Sequence, residues 1–397
     1  MEAIVYLDHA ATTAVEPVVQ TAMARFLSHE FGNPSSRHRL GRAAQAAVEA
    51  ARGQVAALLG CVRDEVVFTG SASEANNLAL KGVVWATAEA RARPLHIITT
   101  AVEHPCVLES CAALRRYFGC EITELPVDGD GAVDPDAVRR AITSRTVLVS
   151  VMTANNEVGT LNPIADIARV AREAGVPLHT DAVAAAGWLE LDRVAAGAQL
   201  ISVSGHKLHG PKGVGALKVA RDVELVPLVH GGGQELGMRS GTEAVPQIVG
   251  MGEAAALCVD RKARAARKVR ALRDRLAGAI LELAGARLTG HATRRLPNHA
   301  SFVFDGVDGK MLLDRLNSVG VIASSGSACS STKLTSSHVL RAIGLPDELA
   351  QSSLRLTLGV ATTEDDIDRA VGAIREAVAA GHRGARTVSS EPVVAEV

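Results

Sequence analysis

The segment 204–217, SGHKLHGPKGVGAL, sets Lys207 just after an apolar strand and follows it with Gly210, Pro211, Gly213 and Gly215. A desolvated amine held there can attack a carbonyl and then serve as a base. The turn superficially suggests a phosphate loop, but the G-x-x-x-x-G-K-[ST] order is absent. Asp181 ends the preceding strand, in LHTDAVAAAGWLELD. Alone it reads as a helix cap. With a lysine one strand later, it fits the buried counter-charge of a protonated ring nitrogen in an electron-sink cofactor, carried by the lysine as a Schiff base. Cys329 sits in ASSGSACSSTKLTSS, small and polar residues with few anchoring side chains. That composition predicts a mobile loop, suited to a nucleophile that visits a site and leaves, whereas a structural cysteine prefers apolar packing. His206 and His209 have no carboxylate or thiolate partner at ligand spacing, so no metal is expected.

Positioning these groups requires a sheet. Segments rich in β-branched residues alternate with Ala-rich ones, predicting strands over 66–69, 96–100, 147–152, 177–180, 200–204 and 215–219. Helices are predicted over 74–84, 135–141 and 163–174. The alternation implies an α/β fold with a mostly parallel sheet covered on both faces, whose ligands bind beyond the strand C-termini. Around 257–283 the texture changes to one long Arg- and Ala-rich helix leading into a second unit with strands over 300–304 and 353–358. The expected division is an N-terminal segment 1–15 packing with the small domain, a large domain 16–258, a small α+β domain 259–380 carrying the cysteine loop, and a flexible tail 381–397.

The 397 residues suit two domains at roughly 150 residues each. With 47% apolar and 21% charged residues a large core is expected and global disorder is not. Aromatics are only 3%, so that core must be mostly Ala, Val, Leu and Ile. A net charge of −1 gives no electrostatic case for nucleic acid or an anionic membrane as partner. The N-terminal MEAIVYLDHAATT lacks a secretory pattern, and no apolar stretch is long enough to span a bilayer. The six cysteines show neither C-x-x-C nor zinc spacing, pointing to a reducing, cytoplasmic setting.

In order along the chain stand VYLDHAATT, GNPSSRHRLG, VVFTGSASEANNLALKG, AVEHPCV, VMTANNEVGT, TDAVAAAG, SGHKLHGPKGVGAL, GGGQELGMRSGTE, SSGSACSS and LRLTLG. With these motifs, spread from Tyr6 to about Asp366, the chain resembles the cysteine desulfurases of the long-cysteine-loop group, class V, fold-type-I pyridoxal-phosphate enzymes. The resemblance implies that Lys207 carries the cofactor, that Asp181 faces the ring nitrogen, and that His104 stacks on the ring and moves protons. Ser73 would open a helix whose amides, with Ser71 and Ala72, hold the phosphate, joined by Ser204, His206 and Thr242 of the other subunit of a homodimer. Asn155 would bond to cofactor or substrate, Arg355 would clamp the substrate carboxylate, and Asn33 would also touch the substrate. Cys106, two positions past His104, is the other cysteine of interest, with a small buried residue as its ordinary reading.

The implied reaction converts L-cysteine to alanine and leaves a persulfide on Cys329 for an acceptor protein. That acceptor is open: an iron–sulfur cluster assembly scaffold, a tRNA-thiolation protein, a DNA-sulfur system or a biosynthetic carrier. Alternatives are a selenocysteine lyase, a class V aminotransferase, or a non-catalytic scaffold that recruits sulfur-transfer partners. Two positions depart from the family pattern: Ala184 stands where Gln usually donates to the ring oxygen, and Leu236 where Arg is usual.

Overall fold

A computed structural model describes residues 4–88, 94–326 and 336–388, the side chains of 383–388 excepted. Seven strands form the main sheet, in the spatial order Val66–Thr69, Gly215–Val219, Leu200–Ser204, Leu178–Asp181, Thr146–Ser150, His96–Thr100, Glu121–Leu125. Gly215–Val219 pairs antiparallel with both neighbours and the other pairings are parallel, so the remaining six strands share one direction. Five strands, Val66–Thr69, His96–Thr100, Thr146–Ser150, Leu178–Asp181 and Leu200–Ser204, are buried at every position, as the near-continuous apolar runs of a two-sided sheet require. Separate apolar clusters cover its faces: helices Arg39–Leu59 and Ile164–Glu173 pack on one, Ala72–Thr87 and Pro105–Phe118 on the other.

A second core lies around a three-stranded antiparallel sheet in which His299–Phe304 runs between Ala286–Leu288 and Leu354–Thr357. Helices Gly309–Ser318 and Glu364–Val388 cover it. The strand Val5–Tyr6 pairs in parallel with Val321–Ile322, and Val5 and Leu7 are buried in the same cluster as Phe302 and Phe304.

The 37-residue helix Val245–Leu281 joins the two cores. Val245, Ile248, Met251 and Ala255 are buried in the first, while Val269, Leu272, Leu276 and Ile280 are buried in the second. Spacings of three and four residues keep each set on one helix face. The helix starts twelve residues before the expected 257, and position 259 falls inside it without a break. The tail expected from 381 instead begins inside the helix that ends at Val388. Its acidic first turn, Glu364, Asp365 and Asp366, complements the helix dipole, and its buried Ile367, Ala370, Ile374 and Ala377 anchor it.

Candidate active site

The parallel strands deliver their chemistry from one edge. Thr69 leads to Ser71, Thr100 to His104 and Ser150 to Asn156; Asp181 ends its strand, and Ser204 leads to Lys207. Ser71, His104, Asn156, Asp181 and Lys207 line one cavity of about 330 Å³, which Arg355 enters from the second core. It is large enough for a small cofactor with a small substrate.

Ser71 caps helix Ala72–Thr87, its Oγ accepting from the Glu74 N–H at 3.1 Å, while Glu74 accepts from the Gly70 N–H at 2.7 Å. The helix thus opens at Ala72, capped by Ser71, rather than at Ser73. The amides of Ala72 and Ser73 remain at the wall of the cavity as anion donors. A Cβ on Gly215 would come within 2.5 Å of the Ser71 carbonyl carbon, so only glycine lets this strand approach the helix mouth.

Asp181 is buried; its Oδ2 accepts from Asn76 Nδ2 at 2.7 Å and its Oδ1 from the Val183 N–H at 2.9 Å. Both oxygens keep a lone pair for a further donor. Lys207 Nζ donates to the carbonyls of Ala10 and Ala11, the latter at 2.6 Å. His206, beside Lys207, is pushed down to about 4 by burial and by Lys207 and Lys212. It is therefore a neutral donor or acceptor near pH 7. These groups fit pyridoxal phosphate: a lysine for the aldehyde, a buried carboxylate for the ring nitrogen and a helix mouth for the phosphate.

His104 caps helix Pro105–Phe118, its Nδ1 accepting from the Cys106 N–H at 3.2 Å. A backbone N–H can only donate, so Nδ1 keeps its lone pair and the ring proton sits on Nε2. Burial lowers the His104 pKa, with Lys207 and His338 adding to the effect and Asp181 opposing it, so the ring is neutral near pH 7. Cys106 Sγ lies 3.0 Å from His104 Nδ1 and 3.1 Å from Asn76 Nδ2, and burial and the Asp181 charge push this thiol up to about 12. It lines the cavity as a protonated thiol, not a thiolate.

Arg355 is 3% exposed; Nη2 donates to Asp8 Oδ1 at 2.9 Å and Nη1 to the Asn156 carbonyl at 3.2 Å. Its Nε is buried without a partner. Ser204, His206 and Ala184 also line the cavity, and Ala184 carries no donor.

Three expected residues lie elsewhere. Asn155 is fully buried outside the cavity wall, its amide donating to the Val102 carbonyl and accepting from the Glu157 and Val158 N–H groups. Its neighbour Asn156 lines the cavity instead. Asn33 is exposed, its Oδ1 accepting from the Ser35 N–H, and Thr242 is exposed away from its own chain's cavity. Cys329 lies outside the described residues. Among those described, no cluster of His, Cys, Asp or Glu is arranged to hold a metal, and no helix is long and apolar enough to cross a membrane.

Asn76, Asp8, His9 and Asn156 were not singled out from sequence. Asn76 carried a signal, since it falls one helical turn after Ser73 and hence on the same face. Asp8 and His9 come from a segment that reaches the site only through tertiary pairing.

The family model for class-V aminotransferases matches residues 5–370. A cysteine desulfurase IscS of Methanosarcina thermophila is 43% identical over 94% of this chain and 92% of its own length. An IscS-like cysteine desulfurase of Mycobacterium tuberculosis is 46% identical over 96% and 98%. The solved structure of a NifS-like protein superposes with a TM-score of 0.87 at 35% identity, covering 95% of this chain and all of that one.

Proposed function

We propose a residue-level scheme from one premise: the chain belongs to the class-V aminotransferase family and, within it, to the pyridoxal-phosphate-dependent cysteine desulfurases, which take sulfur from L-cysteine and pass it to acceptors. The observation that supports the scheme best is the convergence of Lys207, Asp181, the Ala72–Ser73 helix mouth and Arg355 on one cavity.

When bound, pyridoxal phosphate supplies an aldehyde for amine condensation and a ring that withdraws electrons from the substrate α-carbon. Lys207 would hold that aldehyde, and its freed amine would take the substrate α-proton. Asp181, oriented by Asn76, keeps the ring nitrogen protonated. The amides of Ala72 and Ser73, with Ser204 and His206, bind the phosphate. Thr242 reaches the phosphate of a second subunit, a role its exposure away from its own cavity suits. Arg355, pre-oriented by Asp8, takes the substrate carboxylate. His104 would lie against the ring and offer its Nε2 proton. Asn155 acts indirectly, by building the turn that carries Asn156, and Asn33 has no assigned contact.

Cys329 completes the reaction. Its thiolate attacks the substrate sulfur, a sulfur–sulfur bond forms, and the Cβ–S bond breaks. The electron pair of that bond stays with the substrate β-carbon, which is protonated on the way to alanine. The persulfide then leaves for an acceptor, of which an iron–sulfur scaffold is one candidate. A cytoplasmic setting belongs to the same proposal, supported by the free thiols of Cys61, Cys106, Cys111, Cys120 and Cys258, and so does a homodimer, which the role given to Thr242 requires. So does a division into two units whose boundary lies within the long helix, at 258/259.

Product analysis tests the scheme. Alanine and sulfide from L-cysteine, both lost in Cys329→Ser, are the expected result. Keto acid formed independently of Cys329 would instead mark an aminotransferase.

A further inference from the structure

We propose that Cys106 is a positioning residue for the reaction, its thiol hydrogen holding His104 and its sulfur tying that ring, through Asn76, to Asp181. The inference rests on the roles given above to His104 and Asp181, and goes beyond them to what keeps the two groups in place together.

Each bond in this chain of groups has one possible direction. Asn76 Nδ2 lies 2.7 Å from Asp181 Oδ2 and 3.1 Å from Cys106 Sγ. A carboxylate can only accept, so the amide nitrogen faces Asp181, and its two hydrogens serve the carboxylate and the sulfur. Asn76 is fully buried, with its Oδ1 left unpartnered, so it cannot exchange these bonds for water. The Ser73 hydroxyl directs a further hydrogen at the sulfur. The thiol keeps its own hydrogen, since burial and Asp181 push it up to about 12. His104 Nδ1, 3.0 Å away, is the acceptor for that hydrogen: it already takes the Cys106 backbone N–H and so carries its lone pair outward.

The local fold brings these groups together. Cys106 is the second residue of helix Pro105–Phe118, which His104 caps. Pro105 has no N–H, so the Cys106 amide is the first that can meet the capping ring, and the thiol of the same residue follows it. Helices Ala72–Thr87 and Pro105–Phe118 pack through Ala75, Leu78, Val107 and Cys111, and Cys106 lies against that cluster, within reach of Asn76. Donors to Nδ1 bind only the neutral ring, because a protonated ring has no lone pair there, so each donor favours the neutral form. Asp181, Lys207 and His338 of helix His338–Ala342 are the charged or titratable groups that act on the ring from other elements. All three stay when only the side chain at 106 is changed, so such variants isolate the sulfur.

The test titrates the His104 ring nitrogens by NMR in the cofactor-free full chain and measures cysteine turnover in the cofactor-loaded enzyme. Cys106→Val removes the thiol hydrogen while keeping the space filled, and Cys106→Ser keeps both a donor and an acceptor. The His104 midpoint should move to higher pH in Cys106→Val and stay at its wild-type value in Cys106→Ser. Turnover should follow, with kcat about two- to tenfold lower in Cys106→Val, the worth of one neutral hydrogen bond, KM unchanged, and recovery in Cys106→Ser. Where Cys106→Val fails to fold, Cys106→Ala gives the same upward midpoint. An unmoved midpoint in Cys106→Val or Cys106→Ala, or a Cys106→Ser midpoint as high as theirs, would overturn the proposal. His104→Gln runs in parallel: wild-type turnover there overturns the role given to His104, a result distinct from the midpoint comparison among the Cys106 variants.

Discussion

At the scale of single residues, Arg355 is held ready for its proposed role as the substrate clamp. Asp8 and the Asn156 carbonyl hold its fork in place before substrate arrives, leaving a buried Nε with no partner. Arg355→Ala should lower kcat/KM for cysteine by about 10- to 100-fold, the worth of one or two charge-assisted bonds, with most of the change in KM. Arg355→Lys should restore only part, because an ammonium lacks the fork. Steady-state kinetics would contradict the assignment if Arg355→Ala left KM unchanged. Ala184 lines the cavity with no donor to offer, so the ring oxygen of a bound cofactor would carry more charge and hold a nearby proton better. Introducing it with Ala184→Gln should lower the pH midpoint of the cofactor's visible band; an unmoved midpoint would sink the idea. That Lys207, Asp181 and Arg355 would meet at one cavity was readable from sequence because each lies in a contiguous motif. Choosing between Asn155 and Asn156 was not possible that way, since a single backbone turn decides which neighbour faces inward.

At the scale of elements, a buried pair ties the loop around Glu235 to the sheet. Arg52 grips Glu235 through two nitrogens, at 2.7 and 3.0 Å, and the Phe68 N–H donates to the same carboxylate at 2.8 Å. Its neighbour Leu236 is exposed with φ 59°, a left-handed conformation that costs a side-chain-bearing residue about 1 kcal/mol. The buried pair supplies the anchoring that keeps the turn there. Arg52→Ala or Glu235→Ala should each destabilise by about 3–5 kcal/mol, because each leaves one buried charge unmatched. Urea unfolding would refute this with a loss below about 1 kcal/mol, the worth of an exposed pair. Most strands were readable from sequence, since four of the six ranges predicted for the main sheet coincide with the observed ones. The edge strand Glu121–Leu125 was not, because its half-exposed Glu121 and Glu124 break the apolar run. The start of the long helix was obscured by Pro246, Gly250 and Gly252, residues that read as breakers until tertiary packing overrides them.

The whole molecule carries buried titratable groups of opposite sign. His179 is fully buried between the hydroxyls of Ser150 and Ser202 and is pushed down to about 4. Its folded pKa lies below the unfolded value of about 6.5, so the unfolded chain binds the proton more readily and stability falls as pH drops from about 6.5 toward 4. Glu103 is pushed up to about 8 by burial. Its folded pKa lies above the unfolded one, so its contribution falls as pH rises from about 4.5 toward 8. His9 and His206 are also pushed down to about 4, so histidines dominate on the acid side and Glu103 acts alone of the pair above pH 6.5. Urea midpoints should therefore peak near neutrality and decline on both sides; a midpoint still rising from pH 7 to 8 would contradict this balance. The two-core architecture has a functional counterpart, since one core supplies Lys207 and Asp181 while the chain of the other carries Arg355 and Cys329. Mass analysis of the peptide bearing residue 329 after cysteine treatment tests that division of labour most directly. The account predicts one added sulfur on that peptide and none in Lys207→Ala, whereas undiminished sulfide release by Cys329→Ser would contradict it.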